Sequence, residues 1–332
     1  MKHLPEFKKQ FDTALFSYLD LKSKMLKKID PHGGEMIECI KEFISNGGKR
    51  FRPALFYFSF NSFNKKKSID VLEFSFIFEL FHTFALIHDD IIDNAKLRRG
   101  NPTVHTKHGR EMGILSGDFA LTLADELFID IIFSSPISPS IKKQSITLYS
   151  QYKQELLIGQ YLDSKHLSSL EKIMFLKTAQ YSFARPVVLG LLLAGSPNKT
   201  IKKWETWMTR AGMVFQLRDD YEGVMGNEER EGKSVISDTE EGKNTLIVEL
   251  FNKKINKQEL ERFNSFFGKQ NLKTEDFLWY KNKIIEKKID TEIRSQISNS
   301  CKELHQDLLT TFGTQTALHH LVQEILEYIQ VI

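Results

Sequence analysis

Three carboxylates within five positions, Asp89, Asp90 and Asp93 of FHTFALIHDDIIDNAKLRRG (residues 81–100), are the first residues here whose types and spacing imply chemistry. They close an apolar helical run. At 100° per residue, Asp89 and Asp93 sit about 40° apart on one helix face with Asp90 beside them, so their charges repel unless a cation lies between them. Carboxylate oxygens are hard ligands, and Mg²⁺ is commonly held by one or two of them together with the phosphates of a substrate. Arg98 and Arg99 follow closely and suit the part of a phosphate that a metal leaves uncovered. Alone, this pattern is equally that of a solvated acidic helix end before a basic loop. A second pair tips the balance. Asp219 and Asp220, in GMVFQLRDDYEG (residues 212–223), again close an apolar helical run far along the chain. Two such pairs could hold several magnesium ions on one diphosphate.

A cationic segment complements the acidic ones. In GGKRFRP (residues 47–53), glycines and a proline bracket a helix start carrying Lys49, Arg50 and Arg52, and the backbone N–H groups and positive dipole end of that helix add to the cations. An anion site and an exposed basic turn fit this segment equally well. His82 lies two turns before Asp89 and about 20° off the same face; a lone helical histidine is ordinarily a hydrogen-bonded core residue.

The elements that must position these groups are helices. Apolar residues recur at three and four, and alternating strand patterns are scarce, so the fold class is all-α. The prolines, eight in all, fall at helix starts or in loops, as at Pro53, Pro102, Pro136 and Pro139. With 332 residues and no Pro/Gly/Ser-rich linker, one large domain over 1–332 is expected, with the motifs in a core of about 30–250 and amphipathic helices over 250–332. A hydrophobic content of 41%, including 26 phenylalanines, suffices for a sizeable core. A net charge of +3 gives no reason to expect a nucleic acid partner. Cys39 and Cys301 have no metal-ligand spacing and read as two inert thiols in a reducing compartment. The start, MKHLPEFKKQF, lacks the apolar core of a signal peptide, and the longest uncharged apolar run, Pro186–Gly195, is too short to span a bilayer. A cytoplasmic protein with no transmembrane segment is expected.

Taken in order, GGKRFRP, DDIID with its arginines, ELLIGQYLD (155–163), FLKTAQYSF (175–183) and RDDYEG closely resemble the trans-isoprenyl diphosphate synthases, the polyprenyl synthetase family, over roughly residues 30–250. The resemblance implies helices around a central apolar cavity and a Mg²⁺-dependent prenyltransferase. Such an enzyme joins an allylic diphosphate to isopentenyl diphosphate head to tail and releases pyrophosphate. It implies that Lys49, Arg52, His82 and Arg99 hold isopentenyl diphosphate and that Arg98 contacts the allylic diphosphate. Lys177 and Thr178 would touch the allylic diphosphate and the reacting carbons, Gln216 would line the substrate site, and Lys233 and Lys243 would close over the diphosphate. Asp89, Asp93 and Asp219 would bind three magnesium ions with help from Asp163, while Asp90 and Asp220 complete the two pairs. Gln160 would line the cavity, and His105 and His108 are expected to be structural.

Phe84 and Ala85, five and four positions before Asp89, would floor the product tunnel. That pattern resembles the branch making twenty-carbon geranylgeranyl diphosphate, with farnesyl diphosphate next. A homodimer is usual in the family. Two departures stand out: Gly223 occupies the place of a frequent third aspartate, and the C-terminal EYIQVI lacks a basic tail. Rival readings are a terpene cyclase, which has no second diphosphate for Lys49, Arg52 and Arg99 to hold, and a non-catalytic regulatory subunit, which would be expected to have lost an aspartate motif.

Overall fold

The computed structural model describes residues 3–63, 69–226, 235–312 and 316–331. In chain order the helices are α1 (His3–Leu26), α2 (Glu35–Ser45), α3 (Phe51–Phe63), α4 (Val71–Phe74), α5 (Phe76–Ile92), α6 (Val104–His108), α7 (Arg110–Ser134), α8 (Pro139–Ser164) and α9 (Leu170–Met174). A π-helical stretch, Phe175–Ala184, leads into α10 (Arg185–Leu193). Then come α11 (Asn198–Met225), α12 (Ser237–Glu240), α13 (Leu246–Lys254), α14 (Lys257–Phe266), α15 (Thr274–Glu286), α16 (Ile289–Phe312) and α17 (Ala317–Gln330). The strands among the described residues are β1 (Leu97–Arg98) and β2 (Asn101–Pro102), a two-residue antiparallel hairpin after α5. The fold is all-α.

Two compact units emerge. The first comprises Met1–Gln151, Arg185–Glu205 and Gln315–Leu321. Its centre is α5, on which Phe76, Ile77, Phe78, Leu80, Phe81, Phe84 and Ile87 are buried, the composition of a helix surrounded by protein. Val71–Ile92 has the length and mean hydropathy (1.4) of a membrane span, yet 67% of its most apolar window is buried inside the protein. The helical run that leads to the first aspartate motif is interrupted at Ser75, between α4 and α5, where the Ser75 hydroxyl donates to the Leu72 carbonyl at 2.6 Å. α7 meets α5 through Gly113, Gly117, Ala120 and Ala124, and a Cβ on Gly117 would run into the His88 imidazole. On α1, Leu4, Phe7, Phe11, Leu15 and Leu19 form one buried stripe, and Phe11 meets Phe76 edge to face at 5.4 Å.

The second unit comprises Tyr152–Ala184, Thr206–Thr314 and Val322–Ile332. On α16, Ile289, Ile293, Ile297, Cys301, Leu304 and Leu308 make the buried stripe. Phe251, Phe263, Phe266 and Tyr280 form an aromatic core for α13–α15. Gly212 lets α11 approach the π-helical stretch so closely that a Cβ would meet the Ala179 Cα at 2.6 Å. Arg218, 1% exposed, lies over the Tyr328 ring at 4.1 Å and donates to its hydroxyl, which ties α11 to α17.

Candidate functional site

In the first unit the segment before α3 turns through Gly47 (φ 111°), Gly48 (φ 128°) and Arg50 (φ 58°), all left-handed backbone. Glycine is required at 48 for a second reason: a Cβ there would meet the guanidinium of Arg50 and, at 3.2 Å, that of Arg99. Arg50 does not face solvent with its neighbours. Its side chain is 1% exposed and donates through Nε to Asp12 Oδ1 (2.7 Å), through Nη1 to Glu79 Oε1 (2.7 Å) and the Gly47 carbonyl (2.9 Å), and through Nη2 to the Ile44 carbonyl (2.9 Å). Arg99, itself at φ 53°, donates to the same Gly47 carbonyl. Lys49 is exposed and Arg52 half-buried. Burial, together with the guanidinium groups of Arg52, Arg99, Arg98 and Arg50, pushes the His82 imidazole well below its ordinary pKa and keeps it neutral. Of these four cations, Arg50 is paired with Asp12 and Glu79, and Arg98 with Asp89 and Asp90.

The first aspartate motif ends α5. Asp93 is the C-cap, its N–H bonded to the Asp89 carbonyl at 2.9 Å, so these carboxylates stand at the negative end of the helix dipole. Their location sharpens the need for a cation, and the β-hairpin supplies one. Arg98 Nε donates to both oxygens of Asp90 (2.8 and 2.9 Å), and its Nη2 reaches Asp89 Oδ2 at 3.4 Å. Asp90 is 1% exposed and serves as the anchor of this fork, whereas Asp89 is half-buried. Phe84 is buried, with Phe81 at 5.5 Å and His88 edge-on at 4.7 Å; Ala85 is half-buried. His105 contacts Thr103, and His108 contacts Glu42 at 3.2 Å.

The second unit carries the rest. Lys177 and Thr178 lie on the π-helical stretch, whose widened turns are frequent at functional sites. Lys177 Nζ pairs with Asp163 Oδ2 at 2.6 Å. Thr178 bonds to Gln216, and Gln216 Nε2 donates to Asp220 Oδ1 at 2.7 Å, one turn along α11. The other oxygen, Asp220 Oδ2, has no hydrogen-bond partner among the described residues. Burial, reinforced by the neighbouring charges of Asp219 and Asp238 against the bond from Gln216, pushes the Asp220 carboxyl up to about 8. At Gly223 a Cβ would collide with the Asp238 carboxylate, which lies over the space a side chain would fill. Asp238 is in turn held by Lys243 Nζ at 2.7 Å, and the same ammonium reaches Glu241 at 2.8 Å. Lys233 lies outside the described residues.

The sequence model of the polyprenyl synthetase family matches residues 34–284. The chain belongs to the polyprenyl synthetase family. It is a prenyltransferase. It is 31% identical over 220 residues to the geranylgeranyl diphosphate synthase of Sulfolobus acidocaldarius, covering 64% of this chain and 66% of that protein. It is 32% identical over 255 residues to the farnesyl diphosphate synthase of Geobacillus stearothermophilus, covering 73% of this chain and 81% of the relative. The crystal structure of the Corynebacterium glutamicum geranylgeranyl pyrophosphate synthase, complexed with isoprenyl diphosphate and magnesium, superposes with a TM-score of 0.86 at 26% identity over 99% of both chains.

The Corynebacterium glutamicum structure is complexed with magnesium, and the carboxylates of this chain can be compared with what that ion takes. Among the described residues no group of three or more His, Cys, Asp or Glu side chains is gathered tightly enough to hold a metal alone. This donor set fits Mg²⁺, which takes few carboxylates and completes its shell with water and substrate phosphates. The buried Asp220 oxygen without a partner fits as well, since a nearby cation would favour the ionised form that burial disfavours.

Three groups have surroundings that their local sequence does not show. Arg50 was counted among the cations of its segment, with no sign that Asp12 and Glu79 draw it inward. Asp90 was read with its neighbours, although it is buried beneath Arg98. Asp238 was one acid in a charged loop; the missing side chain at 223 was the signal that could have directed attention to a substitute.

Proposed function

We propose that this prenyltransferase joins an allylic diphosphate to isopentenyl diphosphate head to tail, releases pyrophosphate, and stops at twenty-carbon geranylgeranyl diphosphate. The observation that supports the two-substrate reading is the meeting of Arg99 with the turn before α3 at the Gly47 carbonyl, which brings it to the segment carrying Lys49 and Arg52, cations additional to the aspartate motifs. A terpene cyclase has no second diphosphate to place there. Lys49, Arg52, His82 and Arg99 bind and orient isopentenyl diphosphate with its double bond toward the allylic carbon. Asp89, Asp93 and Asp219, assisted by Asp163, would hold three magnesium ions, which when bound draw charge onto the departing pyrophosphate. Arg98, Lys177 and Lys233 meet the charge that grows as the allylic C–O bond ionises, and fixed cations of this kind act most strongly on charge that develops only in the transition state. The double bond then attacks, and the departing pyrophosphate takes the final proton. Apolar walls keep water from the carbocation.

Thr178 and Gln216 fix the allylic end, Lys243 closes over the diphosphate, and Phe84 with Ala85 floors the tunnel. The family resemblance supports these roles, as it supports a single catalytic domain working as a cytoplasmic homodimer. The test is pyrophosphate release by the purified protein with magnesium. Release is expected only when an allylic diphosphate and isopentenyl diphosphate are both present; release from the allylic substrate alone would favour a cyclase.

A further inference from the structure

In the segment that leads into α3, Arg50 is too buried to touch a substrate, and its bonds run into the fold. It holds an arginine in left-handed backbone, which costs free energy that the surroundings must offset. Four of its N–H groups are committed to four acceptors on different parts of the first unit: Asp12 of α1, the Ile44 carbonyl of α2, the Gly47 carbonyl of the turn and Glu79 of α5. Glu79 lies one turn before His82 on α5. The Gly47 carbonyl is shared with Arg99, and Gly48 leaves room for both guanidinium groups.

We propose that Arg50 is the positioning residue of the isopentenyl diphosphate subsite: anchored by Asp12 and Glu79, it fixes the turn that presents Lys49 and Arg52 and, through the Gly47 carbonyl, aligns Arg99. Its side chain acts from beneath the subsite. This rests on the proposed roles of Lys49, Arg52 and Arg99, and it adds that α1, through Asp12, is part of the frame of that subsite. The planar fork explains why arginine is needed: a lysine could keep the charge but not four acceptors in fixed directions.

Arg50→Lys, Asp12→Asn, Glu79→Gln and the charge-balanced Arg50→Met/Glu79→Gln pair test the idea in the full chain, alongside Lys49→Ala. KM for isopentenyl diphosphate should rise roughly tenfold or more in Arg50→Lys, because misplacement by about 1 Å is enough for such losses. A smaller rise is expected in Asp12→Asn, with KM for the allylic substrate unmoved in both. Direct calorimetric titration with isopentenyl diphosphate should weaken in parallel. If Lys49→Ala raises that KM while folded Arg50→Lys and Asp12→Asn do not, or if their melting temperatures fall with both KM values unchanged, Arg50 is only structural. If Lys49→Ala leaves it unchanged, the subsite reading itself fails. The charge-balanced pair keeps the test open should Arg50→Lys not fold: a folded pair with ordinary affinity for isopentenyl diphosphate overturns the proposal.

Discussion

The two aspartate motifs occupy the same kind of place, the last turns of an apolar helix, and solve the same electrostatic problem in different ways. At the end of α5, the buried Asp90 accepts at both carboxylate oxygens from Arg98, a cation the chain supplies from its own β-hairpin. Near the end of α11, the buried Asp220 receives one bond from the neutral Gln216, keeps a second oxygen without a partner among the described residues, and is pushed up to about 8. The third carboxylate differs too. Asp93 caps its own helix, whereas the place after the second pair is Gly223, overlaid by Asp238 from downstream. Asp90 is met by a cation of the chain itself, whereas Asp220 keeps an oxygen that no described residue bonds, and that difference is open to experiment.

The largest effect should be common to both. Asp89→Ala and Asp219→Ala are each expected to lower turnover by roughly 10² to 10³ at saturating magnesium, the usual cost of losing one stabiliser of transition-state charge. If one retained near-full activity, the motifs would not be functional equivalents. Arg98→Ala should separate them. It takes the arginine away from the buried Asp90, and denaturant titration should show a loss toward the lower end of about 3–5 kcal/mol, since Arg98 itself is partly exposed. The Arg98→Ala/Asp90→Ala pair should recover most of it; Gln216→Ala should cost much less.

Asp238→Asn should raise the magnesium concentration for half-maximal activity on the order of tenfold, as loss of an outer carboxylate around a metal does. Adding Gly223→Asp to an Asp238→Ala variant should restore much of the loss, because truncation to alanine removes the carboxylate that a side chain at 223 would strike. No effect of Asp238→Asn would mean the overlay is only packing. The smallest effect is on pH dependence. An unfolded aspartate ionises near pH 4, while the folded Asp220 carboxyl stays protonated to about 8, so the native state binds more protons across this window and stability falls as pH rises through it. In EDTA, the melting temperature of Asp220→Asn should gain on the parent from pH 4 to 8 and level off above; a constant gap would put the Asp220 carboxyl outside that range.

The helices were legible because burial follows the 3.6-residue period, as along Phe7, Phe11, Leu15 and Leu19 or Ile289, Ile293 and Ile297. The motifs were legible because several of them follow one another in order along the chain, whereas one acidic helix end alone reads as well as a solvated surface. What escaped was set by tertiary partners. Nothing local turns Arg50 inward; Asp12 and Glu79 do so from other helices. The π-helical register of Phe175–Ala184 is likewise absent from the apolar spacing, and Gly212 allows α11 to pack against it. Asp238 reads as a loop acid until the fold lays it on Gly223.

The most direct measurement is the product itself. Purified protein incubated with allylic diphosphates, labelled isopentenyl diphosphate and magnesium should yield an acyclic twenty-carbon diphosphate, and Phe84→Ala, which removes a buried ring beside His88, should shift the label to longer chains. Failure to incorporate isopentenyl diphosphate with any allylic primer, or a cyclised hydrocarbon in place of a diphosphate, would contradict the account.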